Sequence, residues 1–358
     1  MDSPRSSKSI FIHLFITFFI INTIKASPSS TVKKFSKIYA FGDSYTDTGN
    51  FKPPLPNGIT YFHRRSDRLS DGRLVIDFIS QSLSLPLLPP YRDLNHSSAA
   101  PAAAGVNFAV SGSTAIDRRF YEERNITAGI GFAPSSVGAQ LGWFKDFMAA
   151  RRAEEMGGAL FWVGEIGAND YAYTFGRDVS PDTVKELAVK SVANVVQELL
   201  RLGGKHIVVQ GIHTIGCLPL SLILAPSTSD RDDIGCVASA NHQAYSHNAL
   251  LQAKLQQLRK QFPQALISYA DHWNAYRAVM KNPTKYGFME PFKACCGSGK
   301  GAYNFDLSEF CGSSPASNKP CSTPSHFISW DGVHLTEAMY KVVADMFVNQ
   351  GYCHPSFQ

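Results

Sequence analysis

What this chain lacks narrows it before any motif is read. After one nearly uncharged apolar run, Ile10 to Ile24, no second run follows that could anchor the protein in a bilayer. Lysine and arginine outnumber aspartate and glutamate only 34 to 29, and nothing in that balance argues for nucleic acid. There is no repeat of solenoid or propeller period, and no linker that would divide the chain. Histidines such as His213, His242, His247 and His272 form no set like His-Glu-x-x-His, so no metal site is expected and they read as helix-face or loop residues. Gly297-Ser298-Gly299-Lys300-Gly301 hints at a phosphate loop, but the spacing and the Ser or Thr after lysine are missing. The Gly-x-Ser-x-Gly elbow is absent too, which excludes the α/β-hydrolase reading.

Cysteine is missing from the first half. All seven, Cys217, Cys236, Cys295, Cys296, Cys311, Cys321 and Cys353, lie beyond it. The amino-terminal segment explains how they are used. Arg5 and Lys8 precede the apolar run and small residues Ala26-Ser27 follow it, the pattern of a secretory signal peptide over residues 1–26. Removing it takes Lys+Arg from 34 to 31 and Asp+Glu from 29 to 28, leaving a net charge near +3 on residues 27–358, expected as a single domain. In an exported protein disulfides are expected: Cys217 with Cys236, two bridges within Cys295 to Cys321 in a pairing left open, and Cys353 unpaired. The sequons Asn95-His96-Ser97 and Asn125-Ile126-Thr127 fit the same compartment as glycosylated surface loops. The C-terminus, Gly351 to Gln358, carries no retention tetrapeptide. The expected destination is extracellular, cell wall or apoplast, with the vacuole as the other.

Strand-like runs alternate with long helical patterns, the signature of a parallel sheet covered on both faces. Strands are expected at Lys37 to Phe41, Leu160 to Ile166, His206 to Gln210 and Ala265 to Tyr269. Ser180-Pro181 starts a helix whose apolar face runs Val184, Leu187, Ala188, Val192, Val195, Leu199, Leu202 before Gly203-Gly204 end it. Another helix passes through Leu250, Leu251, Leu255 and Leu258, and a last one spans about Thr336 to Val348. Lys52 to Arg73 is rich in proline, glycine and polar residues. Phe292 to Pro324 reads as an irregular excursion pinned by disulfides.

The chemistry gathers at two places. Ser44, in Phe41-Gly42-Asp43-Ser44-Tyr45-Thr46-Asp47-Thr48-Gly49-Asn50, follows the first strand and would stand on a strand-to-helix turn, where a side chain projects into a pocket. A serine hydroxyl attacks near neutral pH only if a base takes its proton. His334, in Trp330-Asp331-Gly332-Val333-His334, is the natural base, and Asp331 three residues earlier can reach its Nδ1 and fix the tautomer that leaves Nε2 free. The oxyanion of acyl transfer needs donors. Candidates are the Ser44 N–H, the N–H of Gly112, which has no side chain to block approach, and the side-chain amide of Asn169.

At these residues the chain resembles the plant secreted branch of the GDSL esterase/lipase family, within the SGNH hydrolases. Four blocks stand in the family's order, from Ile38 to about Tyr352: Gly42 to Ser44, Gly105-x-Asn107-Phe108-Ala109, Gly167-x-Asn169-Asp170, and Asp331-x-x-His334. The resemblance implies a three-layer α/β/α, flavodoxin-like fold with a parallel central sheet. It implies Ser44 as nucleophile, His334 as base, Asp331 as its partner, Gly112 and Asn169 in the oxyanion hole, and no cofactor. Tyr45 replaces the leucine of the family's name, Ser111 stands where glycine is frequent, and Leu335 where proline is common. Tyr45 and Ser111 are expected to border the pocket.

The expectation is a secreted serine esterase acting through an acyl-enzyme on a small acyl, acetyl or phenolic ester, its oligomeric state undetermined. An acyltransferase using an alcohol acceptor at the same site is the nearest rival. A catalytically silent secreted binding glycoprotein is the third reading, against which the intact set of site residues argues.

Overall fold

Apolar residues in each strand of the central sheet alternate between two helical layers, as the two-residue period of a strand requires. In β1 (Lys37–Phe41), Tyr39 and Phe41 enter one core, and Ile38 and Ala40 the other. In β3 (Ala159–Val163), Phe161 and Val163 oppose Leu160 and Trp162 in the same way. Both faces of the sheet are therefore covered. The computed structural model describes Met1 and residues 35–52, 56–94, 102–126, 135–149, 156–225, 227–313 and 319–358. All the elements of the fold belong to the unit Lys34–Gln358. The expected signal peptide, Met1 apart, and Asn95 lie outside the described residues.

The remaining strands of this sheet are β2 (Gly105–Asn107), β4 (His206–Gln210), β5 (Leu266–Ala270) and β8 (Cys353–His354). Their order is β2-β1-β3-β4-β5-β8. Neighbours from β2 to β5 are parallel, for example Ile38 beside Gly105 and Leu160, and only the edge strand β8 pairs antiparallel, His354 with Tyr269. An antiparallel edge on an otherwise parallel sheet is common. The order of the first five strands is the flavodoxin-like one, in which chain direction across the sheet reverses beside β1. In sheets of this kind ligands bind outside the carboxyl ends of the strands at that reversal, and Ser44 and Asn169 follow the carboxyl ends of β1 and β3.

The first layer packs α3 (Val137–Ala149), α5 (Pro181–Arg201) and α7 (Ala238–Gln261) on the sheet. Helix α5 begins as expected, with Ser180 Oγ accepting the Thr183 N–H at 3.1 Å behind Pro181. Leu202, expected on its apolar face, is instead 41% exposed, because it follows the last helical residue. The opposite layer is α1 (Val75–Ser82), α8 (His272–Lys281) and α9 (Glu337–Asn349). Short helices α2 (Arg118–Glu122), α4 (Ala168–Thr174) and α6 (Pro219–Leu224) sit in connections.

The Pro/Gly-rich stretch before α1 holds that layer together. Arg68 forks onto buried Asp77 of α1 at 2.7 and 2.8 Å, and Asp71 accepts the first N–H of α9, that of Glu337, at 2.7 Å. The 292–324 excursion starts more regularly than expected: β6 (Glu290–Ala294) pairs in parallel with β7 (Phe327–Ser329). Bridges Cys295–Cys321 and Cys296–Cys311 then pin the irregular part, Cys217 is bonded to Cys236, and Cys353 is a buried free thiol.

Candidate active site

Immediately after β1 the chain makes one tight turn. Thr46 and Asp47 donate their N–H groups to the Asp43 carbonyl at 3.1 and 2.9 Å. No helix follows until Val75 among the described residues, so the expected strand-to-helix turn is a single turn. Asp47 is the cause: its carboxylate accepts the N–H groups of Gly49, Asn50, Phe51 and Ser111 at 2.6 to 3.0 Å, capturing donors a helix would have used. Burial pushes that carboxyl up to about 6 against those four bonds.

The turn is clamped from both sides. Gln140 of α3 accepts from Gly42 N–H at 2.9 Å and donates to its carbonyl at 2.8 Å. Gly42 has φ 143°, a conformation closed to other residues. Asn107 donates to the Thr46 carbonyl at 2.6 Å, and Asn50 donates to the carbonyls of Asn107 and Ala109 at 2.8 Å. The Gly-x-Asn-Phe-Ala block thus serves to fasten the serine turn to β2. Ser44 itself is 6% exposed, and its N–H carries no hydrogen bond among the described residues.

Gly112 adopts φ 77°, and its N–H is likewise without a partner among the described residues, while its carbonyl accepts from Tyr173 at 2.9 Å. Asn169 begins beyond β3, one residue into α4. Its side-chain Nδ2 donates to the Ser113 carbonyl at 2.9 Å and to Asp43 Oδ2 at 3.1 Å, so both of its hydrogens are engaged at rest. Donation to a third oxygen at this site requires the longer bond to yield or be shared. Its neighbour Asp170 is buried and accepts from Ala115 N–H, Ile116 N–H and Tyr121 hydroxyl at 2.6 to 2.8 Å, tying α4 to the chain beyond Gly112.

The other half of the site is the loop between β7 and α9. His334 Nδ1 lies 2.7 Å from Asp331 Oδ2, and Asp331 Oδ1 accepts the N–H groups of His334 at 2.7 Å and Val333 at 3.0 Å. Burial works to raise the Asp331 carboxyl, but the His334 charge and these bonds outweigh it, leaving it below the usual carboxylate range. The aspartate is therefore ionised and the imidazole fixed with Nδ1–H toward it. The disulfide excursion builds this loop: Cys295 and Cys296 donate their N–H groups to the carbonyls of Ser329 and Trp330 at 3.0 and 2.6 Å, and the bridges pack on fully buried Trp330.

Tyr45 joins the two halves. Its hydroxyl donates to the Val333 carbonyl at 2.7 Å, His213 Nε2 donates to it at 2.5 Å, and its ring sits 5.8 Å from that of His334. Its ring is buried, and the phenol reaches inward because a polar partner waits at its tip. Ser111 is nearly buried too, its N–H held by Asp47. The histidines read as loop or helix-face residues are placed so: His213 follows β4, His272 opens α8, and His242 and His247 lie on α7. Burial pushes His213 and His247 down to about 3, so both are neutral, and His247 meets the Tyr171 hydroxyl at 3.0 Å. Asn125 is exposed.

Sequence reasoning missed Gln140, Asp47 and the roles of Asp43 and Asp170. For Asp43, Asp47 and Asp170 the only signal was polar type inside turn-like motifs, and Gln140 sits within α3 with no such motif around it.

Comparison with known proteins supplies the family. The GDSL-like lipase/acylhydrolase model matches residues 38–347. The chain belongs to that family and is a carboxylic ester hydrolase. It is 46% identical to a GDSL esterase/lipase of Arabidopsis thaliana, covering 99% of this chain and 96% of the relative. It is 38% identical to sinapine esterase of Brassica napus (98% and 95% covered) and 36% identical to acetylajmalan esterase 2 of Rauvolfia serpentina (94% and 95% covered). A catalytic mutant of an acetylxylan esterase from Geobacillus stearothermophilus aligns at 13% identity and TM-score 0.40 over 87% of this chain and 92% of that one.

Proposed function

We propose that the protein is an exported serine esterase in which Ser44 attacks a carboxylic ester and His334 and Asp331 serve it. The observation that carries this reading is the Asp331 carboxylate, fixed by two backbone N–H groups and bonded at 2.7 Å to His334 Nδ1. With Nδ1 so occupied, Nε2 is the basic nitrogen. It takes the Ser44 proton as Oγ adds to the ester carbonyl, and Asp331 stabilises the imidazolium that forms. The unengaged N–H groups of Ser44 and Gly112 receive the oxyanion, with Asn169 as third donor. The tetrahedral species expels its alcohol, protonated by His334, to leave an acyl group on Ser44. Water, deprotonated by His334, then releases the acid. These steps use side chains and backbone alone.

Residues 27–358 are proposed as one domain, delivered to the cell exterior after removal of residues 1–26. Three disulfides support an oxidising compartment, and exposed Asn125 supports glycosylation there; Asn95 is proposed as the second glycosylation site from its sequon alone. No described helix is long and apolar enough to cross a membrane. Two relatives are named for esters of defined small molecules, sinapine and acetylajmalan, so we take a small ester as the substrate class. The test is a panel of p-nitrophenyl esters of rising acyl length, run on the mature protein with and without an alcohol acceptor. Hydrolysis favouring short acyl groups and indifferent to the alcohol is expected. Product appearing only with alcohol would make the protein an acyltransferase.

A further inference from the structure

Beneath the serine turn lies a second carboxyl that the mechanism above does not use. Glu165, in the loop between β3 and α4, is fully buried, as is Asp43 beside the nucleophile. Asp43 N–H donates to the Glu165 carbonyl at 3.3 Å, and the two buried side-chain carboxyls lie within interacting reach of each other. Glu165 Oε1 accepts the Ala168 N–H at 3.3 Å, whereas Oε2 meets no N–H or hydroxyl donor. Two carboxyls can bond only if one carries a proton. Asp43 already accepts from Tyr45 N–H at 3.0 Å and from Asn169 Nδ2 at 3.1 Å, the environment of an anion. Glu165, with one weak donor, is the group that keeps the proton.

We propose that Glu165 is a positioning residue for the oxyanion hole: by donating to the Asp43 carboxylate it holds Asp43 as the acceptor that aims the Asn169 amide beside Ser44. This rests on the reading of Asn169 as an oxyanion donor. The electrostatics point the same way. Burial, and then the neighbouring Asp43 charge, push Glu165 well above the usual carboxyl range. Burial also raises Asp43, while the Tyr45 N–H, the bond from Glu165 and the His334 charge pull it back. A neutral Glu165 spares the developing oxyanion a second negative charge from below. The other titratable groups facing the pair are Asp170 and Tyr173 of α4, Tyr45, Tyr340 of α9 and His334.

The sign of the pH effect follows. Asp43 must be ionised to orient Asn169, so this function is present above its pKa and lost as pH falls through it. Removing the donor raises that pKa, and the loss then begins at higher pH. The experiment compares Glu165→Leu and Glu165→Gln, with active sites counted by stoichiometric fluorophosphonate labelling. Glu165→Leu should lower kcat by about 10- to 100-fold, leave KM nearly unchanged, and move the acid side of the kcat–pH profile upward. Glu165→Gln, whose amide still donates to Asp43, should restore both. An unmoved acid limb in Glu165→Leu, or a Gln variant as impaired as the Leu variant, overturns the proposal. Should Glu165→Leu not fold, a loss of more than about tenfold in folded Glu165→Gln overturns it alone. Failure of the serine mechanism is read separately, as absent labelling of Ser44 in the unmutated protein.

Discussion

The two sides of the site are built from different materials. The side of the proposed nucleophile, Phe41 to Asn50 with Gly105 to Ile116 and Glu165 to Asp170, is held by buried acids and amides that accept from and donate to backbone, and none of its residues is a bridged cysteine. The side of the proposed base, Trp330 to His334, is a loop between the three-residue strand Phe327–Ser329 and a helix, backed by two disulfides and a buried tryptophan. The first side grows from the centre of a covered sheet, where backbone is plentiful and a carboxylate finds several N–H groups at once. The second lies outside the sheet, in a stretch with little apolar periodicity, and needs covalent staples. Precision is supplied by hydrogen bonds in one place and by cross-links in the other, so the two sides should fail under different treatments.

Asp331→Asn breaks the base side at its centre. It keeps the shape but loses the charge and the tautomer, and kcat should fall by about 10⁴-fold. A variant with near-normal kcat would leave His334 working unaided. Asn169→Ala breaks that first side at its edge, removing one of three proposed oxyanion donors, and should cost about 10²- to 10³-fold in kcat with little change in KM. A change under about threefold would remove Asn169 from the hole.

The cross-links offer the sharpest contrast. Replacing Cys296 and Cys311 together by serine should destabilise the fold by about 2 to 4 kcal/mol, measured by denaturant unfolding, and should lower kcat in the folded fraction by loosening Trp330 and the loop it anchors. Opening Cys217–Cys236, which belongs to neither side, should cost comparable stability but leave kcat per folded molecule unchanged. Equal kcat in both variants would show that the excursion does not support the base.

Tyr45 spans the two sides and should give the smallest effect. Tyr45→Phe keeps the ring against His334 but leaves the Val333 carbonyl and His213 Nε2 unpaired. About 1 to 3 kcal/mol of stability should be lost, with several-fold in kcat. Unaltered stability would mean water replaces the hydroxyl.

Much of the molecule is legible in its sequence, and the reason differs by feature. Lys37–Phe41 and His206–Gln210 are strands with the expected ends, because uninterrupted apolar runs bounded by turn residues leave little choice. Asp331 and His334 are near in sequence, so their bond follows from local geometry. Cys217–Cys236 follows from cysteine spacing, whereas which cysteine pairs with which inside 295–321 needed the structure. Gln140 and Gly42 are 98 positions apart, and no local pattern signals a clamp between them. The two-residue edge strand β8 carries no period at all. The bond between Tyr45 and His213 joins residues 168 positions apart, which no local pattern signals.

The central claim is that Ser44 is the nucleophile, and covalent capture tests it most directly. The mature protein is treated with a fluorophosphonate, digested, and the modified peptide identified by mass spectrometry. One phosphonyl group on Ser44, absent from Ser44→Ala, with ester turnover of that variant down by about 10⁴- to 10⁶-fold, is the expected result. A label on another residue, or a Ser44→Ala protein that still hydrolyses esters at the normal rate, would contradict the account.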